Sequence, residues 1–85
     1  MTTEQPIHLL LVDDLEENLL ALEALLKREG VVCLKARSGD EALELLLVHD
    51  VALALVDVQM PGMDGFQLAE FMRGNVNARH VPIIF

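Results

Sequence analysis

Apolar residues along this chain follow two different spacings. Ile7–Val12 (IHLLLV) and Val51–Val56 (VALALV) are near-continuous apolar runs. Runs that short read as strands buried on both faces, the kind found inside a parallel sheet. Between them the spacing changes. Leu15, Leu19, Leu22 and Leu26 are separated by four, three and four residues and line one face of a helix over Leu15–Glu29. Glu16 and Glu17 fall in its first turn, and Lys27 and Arg28 in its last, as the helix dipole favours; Gly30 offers a left-handed stop.

Val31–Ala36 (VVCLKA) opens on β-branched residues and reads as a strand. Ser38 and Glu41 have the spacing of a capping box. The helix they open turns Ala42, Leu43, Leu46 and Leu47 inward and ends near His49-Asp50. Phe66–Arg73 reads as a third helix, with Leu68, Ala69 and Met72 inside and Gly74-Asn75 as its stop. A polar loop over Asn75 to His80 leads to Val81–Phe85 (VPIIF), the start of a fourth strand. The order β-α-β-α-β-α-β implies right-handed crossovers and an α/β fold, a doubly wound parallel sheet with helices on both faces. Residues 1–85 form one domain without repeat or linker. A radius of gyration of roughly 12 Å is expected. The apolar ending also predicts a unit cut short at its carboxyl end, with an uncovered edge strand.

Composition narrows the classes. The chain is 53% hydrophobic but only 4% aromatic, so aliphatic residues fill the core. Its net charge of −8 argues against a nucleic-acid backbone as partner, which needs clustered Lys and Arg. No apolar run reaches the ~20 residues that span a membrane, and MTTEQPIH lacks signal-peptide character. The lone Cys33 forms no disulfide framework and fits a reducing cytoplasm, packed as a small buried hydrophobe.

Acids end both long apolar runs: Asp13 and Asp14 after the first, Asp57 after the second. In a parallel sheet these gather at one edge if their strands are neighbours, and open α/β folds place ligands at that edge. Carboxylates that close together need a proton or a cation among them. An oxygen-only set open to water suits Mg²⁺. His8, His49 and His80 stand at no ligand spacing and read as ordinary residues. A carboxylate beside Mg²⁺ is able to attack phosphorus and form an aspartyl phosphate.

Asp13-Asp14 after one strand and Asp57 after a later one, followed by Val58-Gln59-Met60-Pro61-Gly62-Met63-Asp64-Gly65, resemble the receiver domain of two-component response regulators. The likeness runs from the first strand to the fourth. It implies a flavodoxin-like fold with strand order 2-1-3-4, taken from the family's arrangement. It implies Asp57 as phosphoacceptor, with a sensor histidine kinase as phosphohistidine donor. Asp14 would ligate Mg²⁺ directly, Asp13 largely through water, and Gln59 through its backbone carbonyl. Pro61, Gly62 and Gly65 would shape the loop, glycine accepting backbone angles other residues avoid. No enzymatic activity beyond self-phosphorylation on Asp57 is implied.

Receivers have five β/α units. The Ser or Thr past the family's fourth strand, and the Lys ending its fifth, have no counterpart in these 85 residues. A strand reading VPIIF at the edge invites a homodimer or strand exchange. The alternative reading is thus a structural, self-associating module without phosphotransfer. An Asp-nucleophile phosphohydrolase of the haloacid dehalogenase type needs an acid two residues after the nucleophile, where Gln59 stands. A flavodoxin-like cofactor binder needs a phosphate cradle where this chain has Asp13-Asp14-Leu15-Glu16-Glu17.

Overall fold

A computed structural model describes residues 5–85; residues 1–4, part of the MTTEQPIH opening, lie outside it. The elements run β1 (Ile7–Val12), α1 (Glu16–Leu26), β2 (Val31–Ala36), α2 (Gly39–Val48), β3 (Val51–Val56), α3 (Gly65–Arg73) and β4 (Ile83–Ile84). The four strands are parallel in the order β2-β1-β3-β4. This is the α/β, doubly wound order expected for a flavodoxin-like receiver. The radius of gyration is 12.6 Å. Among the described residues no helix is long and apolar enough to cross a membrane.

Side-chain parity divides the sheet. Leu10 and Val12 of β1 stand beside Ala54 and Val56 of β3 and Leu34 and Ala36 of β2. That face meets Ala42 and Leu46 of α2 and Leu68 and Met72 of α3 in a single core cluster. Leu10, Ala42 and Leu68 have no exposed surface at all. The opposite face holds Leu11, buried with Leu19 of α1. There α1 lies over β1 and β2, while Leu53 and Leu55 of β3 stay half-buried. The expectation that Val51–Val56 is buried on both faces is therefore corrected: one face is closed, the other partly open. A continuous apolar run fits either case, because hydropathy records what a residue tolerates rather than what covers it.

The helices differ from expectation mainly at their ends. Helix α1 begins at Glu16, leaving Leu15 as the extended N-cap, 47% exposed rather than on the inner face. It stops at Leu26, so Lys27 is an extended C-cap and no basic residue occupies the last turn. Gly30 does carry a left-handed φ of 84°, but in the turn into β2 rather than at the helix end. In α2 the inner residues are Ala42 and Leu46, with Leu43 and Leu45 alongside. Leu47, expected inside, is 64% exposed, about a hundred degrees round the helix from Leu46. Helix α3 buries Leu68, Ala69 and Met72 as expected. Gly74 ends it in a right-handed conformation, its N–H donating to the carbonyl of Glu70 at 3.2 Å while Asn75 N–H donates to that of Met72 at 3.1 Å.

The loop after α3 is a series of tight turns, and it buries Ala78 in the core cluster. β4 is shorter than the predicted Val81–Phe85: only Ile83 and Ile84 pair, opposite Ala54 and Leu55. Pro82 lacks an N–H but its carbonyl accepts from Ala54 N–H at 2.9 Å, while Val81 is buried. Cys33 is half-buried on β2 rather than enclosed, and burial pushes its thiol above the usual range. The pairing of β1 with β3 contains one irregularity: His8 lies opposite Val51, but Leu9 lies opposite Leu53.

Candidate acidic phosphoacceptor site

The two central strands deliver their acids to the same edge. Val12 pairs with Val56 and with Ala36, and the next residues continue the ladder: Asp13 N–H donates to Ala36 carbonyl at 3.0 Å, and Asp57 N–H donates to Val12 carbonyl at 2.9 Å. Asp13, Asp14 and Asp57 each present a carboxylate oxygen, all within 4.8 Å of one another. Asp13 is buried and the other two are half-exposed. Asp13 and Asp57 also border an open cleft of about 220 Å³ shared with Leu22, Leu55, Ile84 and Phe85, on the α1 side of the sheet. Asp13 and Asp57 thus lie toward the less covered face.

Each acid is held differently. Asp13 Oδ1 accepts from Leu15 N–H at 3.0 Å and Oδ2 accepts from Asn18 Nδ2 at 3.2 Å. Leu15 has no side-chain oxygen to cap α1; Asp13 instead fixes the approach to the helix by accepting the N–H of Leu15 in an Asx-type turn. Asp57 Oδ1 accepts from Gln59 N–H at 3.2 Å. Among the described residues its Oδ2 has no protein donor. Asp14 is reached through its backbone: Arg37 Nε and Nη2 donate to its carbonyl at 3.3 and 3.0 Å.

The loop from Val58 to Asp64 closes on itself. Gly65 N–H donates to Val58 carbonyl at 3.0 Å, and α3 starts with a full capping box: Asp64 accepts from Gln67 N–H, and Gln67 Oε1 from Asp64 N–H. Gly62 needs its glycine for angle, with φ of 75°. Gly65, grouped with it on the sequence, is required for space instead. A methyl group there would stand 2.5 Å from Asp57 carbonyl oxygen and 2.9 Å from Val58 Cα. Met60 is buried in the core cluster and Met63 packs against it, as loop packing requires.

Sequence reasoning placed Asp13, Asp14 and Asp57 together, and they converge. It did not find Asn18, Arg37 or the Asp64–Gln67 box. The box was legible as Asp-x-x-Gln before an apolar run. Arg37 was legible by position, since it directly follows β2 and so emerges at the same sheet edge. Asn18 carries no sequence signal, because its partner is set by how α1 enters. Ser38 Oγ accepts from Glu41 N–H as predicted, but Glu41 Oε1 accepts from Arg37 N–H at 2.6 Å, one residue before the box position. The histidines form no metal cluster among the described residues; His8 and His49 rings lie tilted, 5.2 Å apart, away from the acids at the other end of their elements.

A shallow oxygen-lined edge on a 2-1-3-4 parallel sheet is the architecture of a receiver. The family profile described as response regulator receiver domain matches residues 9–85. The chain belongs to that family, the receiver domains of two-component response regulators. Among characterised relatives, the polar-differentiation response regulator DivK of Brucella ovis is 32% identical over 75 residues, covering 88% of this chain and 61% of DivK. A response regulator receiver protein from Pseudomonas putida superposes with a TM-score of 0.84 at 27% identity, over 98% of this chain and 69% of that one. The chemotaxis protein CheY4 of Vibrio cholerae gives 0.85 at 27% identity, over 92% and 65%. This chain therefore spans about three fifths of the length of DivK.

Proposed function

We propose that this chain accepts a phosphoryl group on Asp57 from a phosphohistidine of a sensor histidine kinase. The observation that carries the reading is the convergence of three carboxylate oxygens within 4.8 Å at the edge where both central strands end. Three like charges so close repel one another, and a hard divalent cation offsets that repulsion. The donor set fits Mg²⁺: oxygen atoms only, partly open to water, with no imidazole or thiolate in the cluster. Asp14 and Asp57 are the direct ligands in this reading. Both oxygens of Asp13 already accept hydrogen bonds, which supports a water-mediated role for it. Gln59 would add its backbone carbonyl, its N–H already anchoring the loop to Asp57. When bound, Mg²⁺ shields the incoming phosphoryl charge.

In the transfer, a carboxylate oxygen of Asp57 forms the new bond to phosphorus while the phosphorus–nitrogen bond of the donor breaks. The electron pair leaves with the imidazole. Gln59 N–H fixes Oδ1, and among the described residues Oδ2 has no competing protein donor. The proposed setting is the cytoplasm, without nucleic-acid contact by this acidic domain. Incubation with Mg²⁺ and a small acyl phosphate, followed by intact mass measurement, tests the reading. One phosphoryl group should be gained by the parent chain and none by Asp57→Asn; an equal gain in both removes Asp57 from its role.

A second reading, a self-associating module without phosphotransfer, rests on β4. It is an edge strand, and its Ile84 and the following Phe85 are each about half exposed. Phe85 also meets Phe66 of α3, ring centroids 4.9 Å apart. Edge-to-edge pairing in a symmetric dimer is the proposed form. A monomer by light scattering at high concentration would refute it.

A further inference from the structure

Two loops carry the acids, β1–α1 with Asp13 and Asp14 and β3–α3 with Asp57 and Gln59. A third segment, the turn from Arg37 through Ser38 into Gly39, the first residue of α2, touches both and supplies no carboxylate of its own. Arg37 straddles the carbonyl of Asp14 with two N–H donors. Its own N–H is held by Glu41, and Ser38 caps the helix that follows, so the turn is fixed to α2. Two residues on, Gly39 is buried with Met63 of the β3–α3 loop seated on it. A Cβ there would collide with Met63 Sδ and lie 3.0 Å from Met63 Cγ and 3.1 Å from its Cβ.

We propose that the Arg37–Gly39 turn is a clamp that sets the separation of the two acidic loops, and that Arg37, Gly39 and Met63 are positioning residues for the divalent-ion site. The proposal rests on the Mg²⁺ reading above. Charge and geometry oppose each other at Arg37, which makes the clamp testable. A cation near the acids, acting through its field alone, lowers their affinity for Mg²⁺, so Arg37→Gln would tighten binding. A clamp predicts the reverse, because freeing the Asp14 backbone spoils the arrangement of its carboxylate.

The experiment is calorimetric titration of the full chain with MgCl₂, alongside the melting temperature without Mg²⁺. Arg37→Gln should bind Mg²⁺ about tenfold more weakly, the scale of outer-shell substitutions at metal sites. Arg37→Lys, which keeps the charge but not the fork, should fall between the two. Gly39→Ala and Met63→Ala should each weaken binding, and the double variant should be no worse than the poorer single one, since Gly39→Ala acts by displacing the side chain that Met63→Ala removes. Tighter binding by Arg37→Gln, unchanged binding with only a lowered melting temperature, or additive effects of Gly39→Ala and Met63→Ala would overturn the clamp. A parent chain that binds no Mg²⁺ overturns the metal reading and the clamp with it. Mg²⁺ binding that is equal in parent and variants overturns the clamp alone.

Discussion

The two faces of the sheet are built from the same aliphatic residues and come out differently. On one, Leu10, Val12, Ala54 and Val56 disappear under α2 and α3. On the other, α1 buries Leu11 and Leu19 but leaves Leu55 and Ile84 partly open beside the cleft at Asp13 and Asp57. The closed face contributes most of the cohesion. Asp13 and Asp57 border that cleft at the carboxyl edge of the strands. The same aliphatic composition thus serves a closed face and a half-covered one, and only the packing of the helices tells them apart.

The largest effects should come from the closed face. Leu10→Ala or Leu68→Ala should each cost about 2–5 kcal/mol, as fully buried leucines do, and in so short a domain that brings unfolding within reach of mild urea. Leu55→Ala on the open face should cost about 1 kcal/mol, since a half-buried side chain leaves less transfer free energy and little cavity. Equal urea midpoints for Leu55→Ala and Leu10→Ala would abolish the distinction between the faces.

Asp57→Asn comes next. Without Mg²⁺ it should raise stability by on the order of 1 kcal/mol, because it removes one of three neighbouring like charges in a partly solvated setting. It should also diminish the gain in melting temperature on adding Mg²⁺, as expected when a ligand of the native state loses a contact. A destabilised Asp57→Asn variant would mean that the carboxylate is structural. Asp64→Ala, which dismantles the full capping box of α3, should cost about 1 kcal/mol, measurable by urea denaturation.

The smallest effect belongs to the open face. Lys35 Nζ donates to Glu23 at 2.8 Å, tying β2 to α1. That hydrogen bond holds the Glu23 carboxyl below its usual range and raises the Lys35 ammonium above its own. The Glu23 contribution is present above the carboxyl's unfolded value and fades as pH falls through its lowered folded one. The Lys35 contribution is present below the ammonium's unfolded value and fades as pH rises through its raised folded one. Glu23→Gln should therefore shift the melting temperature barely at neutral pH and not at all in strong acid, because exposed pairs are screened. A large shift would show that α1 depends on this pair.

The strand and helix order was legible because short unbroken apolar runs, three-to-four spacing and Gly or Pro breaks all agreed along the chain. The convergence of Asp13, Asp14 and Asp57 followed from parallel strands alone once β1 and β3 were neighbours. Coverage was not legible. VALALV reads identically whether one or two layers lie over it, and Leu47 is as apolar as Leu46 although only Leu46 is inside. Nor was the reason for Gly65, since a need for space and a need for angle both select glycine. For Arg37 the sequence gives the sheet edge but not the backbone oxygen its fork reaches, the carbonyl of Asp14.

The irregularity between His8 and Leu9 has a reach longer than its size. Carried on from the His8–Val51 pairing, an unbroken ladder would set Asp14, not Asp13, level with Asp57. Because Ala52 is skipped, Val12 meets Val56 and the first of the two aspartates comes level instead. A single alanine at the foot of the sheet, several residues from any acid, thus selects which member of the Asp13-Asp14 doublet stands abreast of Asp57 and which is free to lean outward. Chains of this kind that lack the skip should need their doublet displaced by one position to build the same cup.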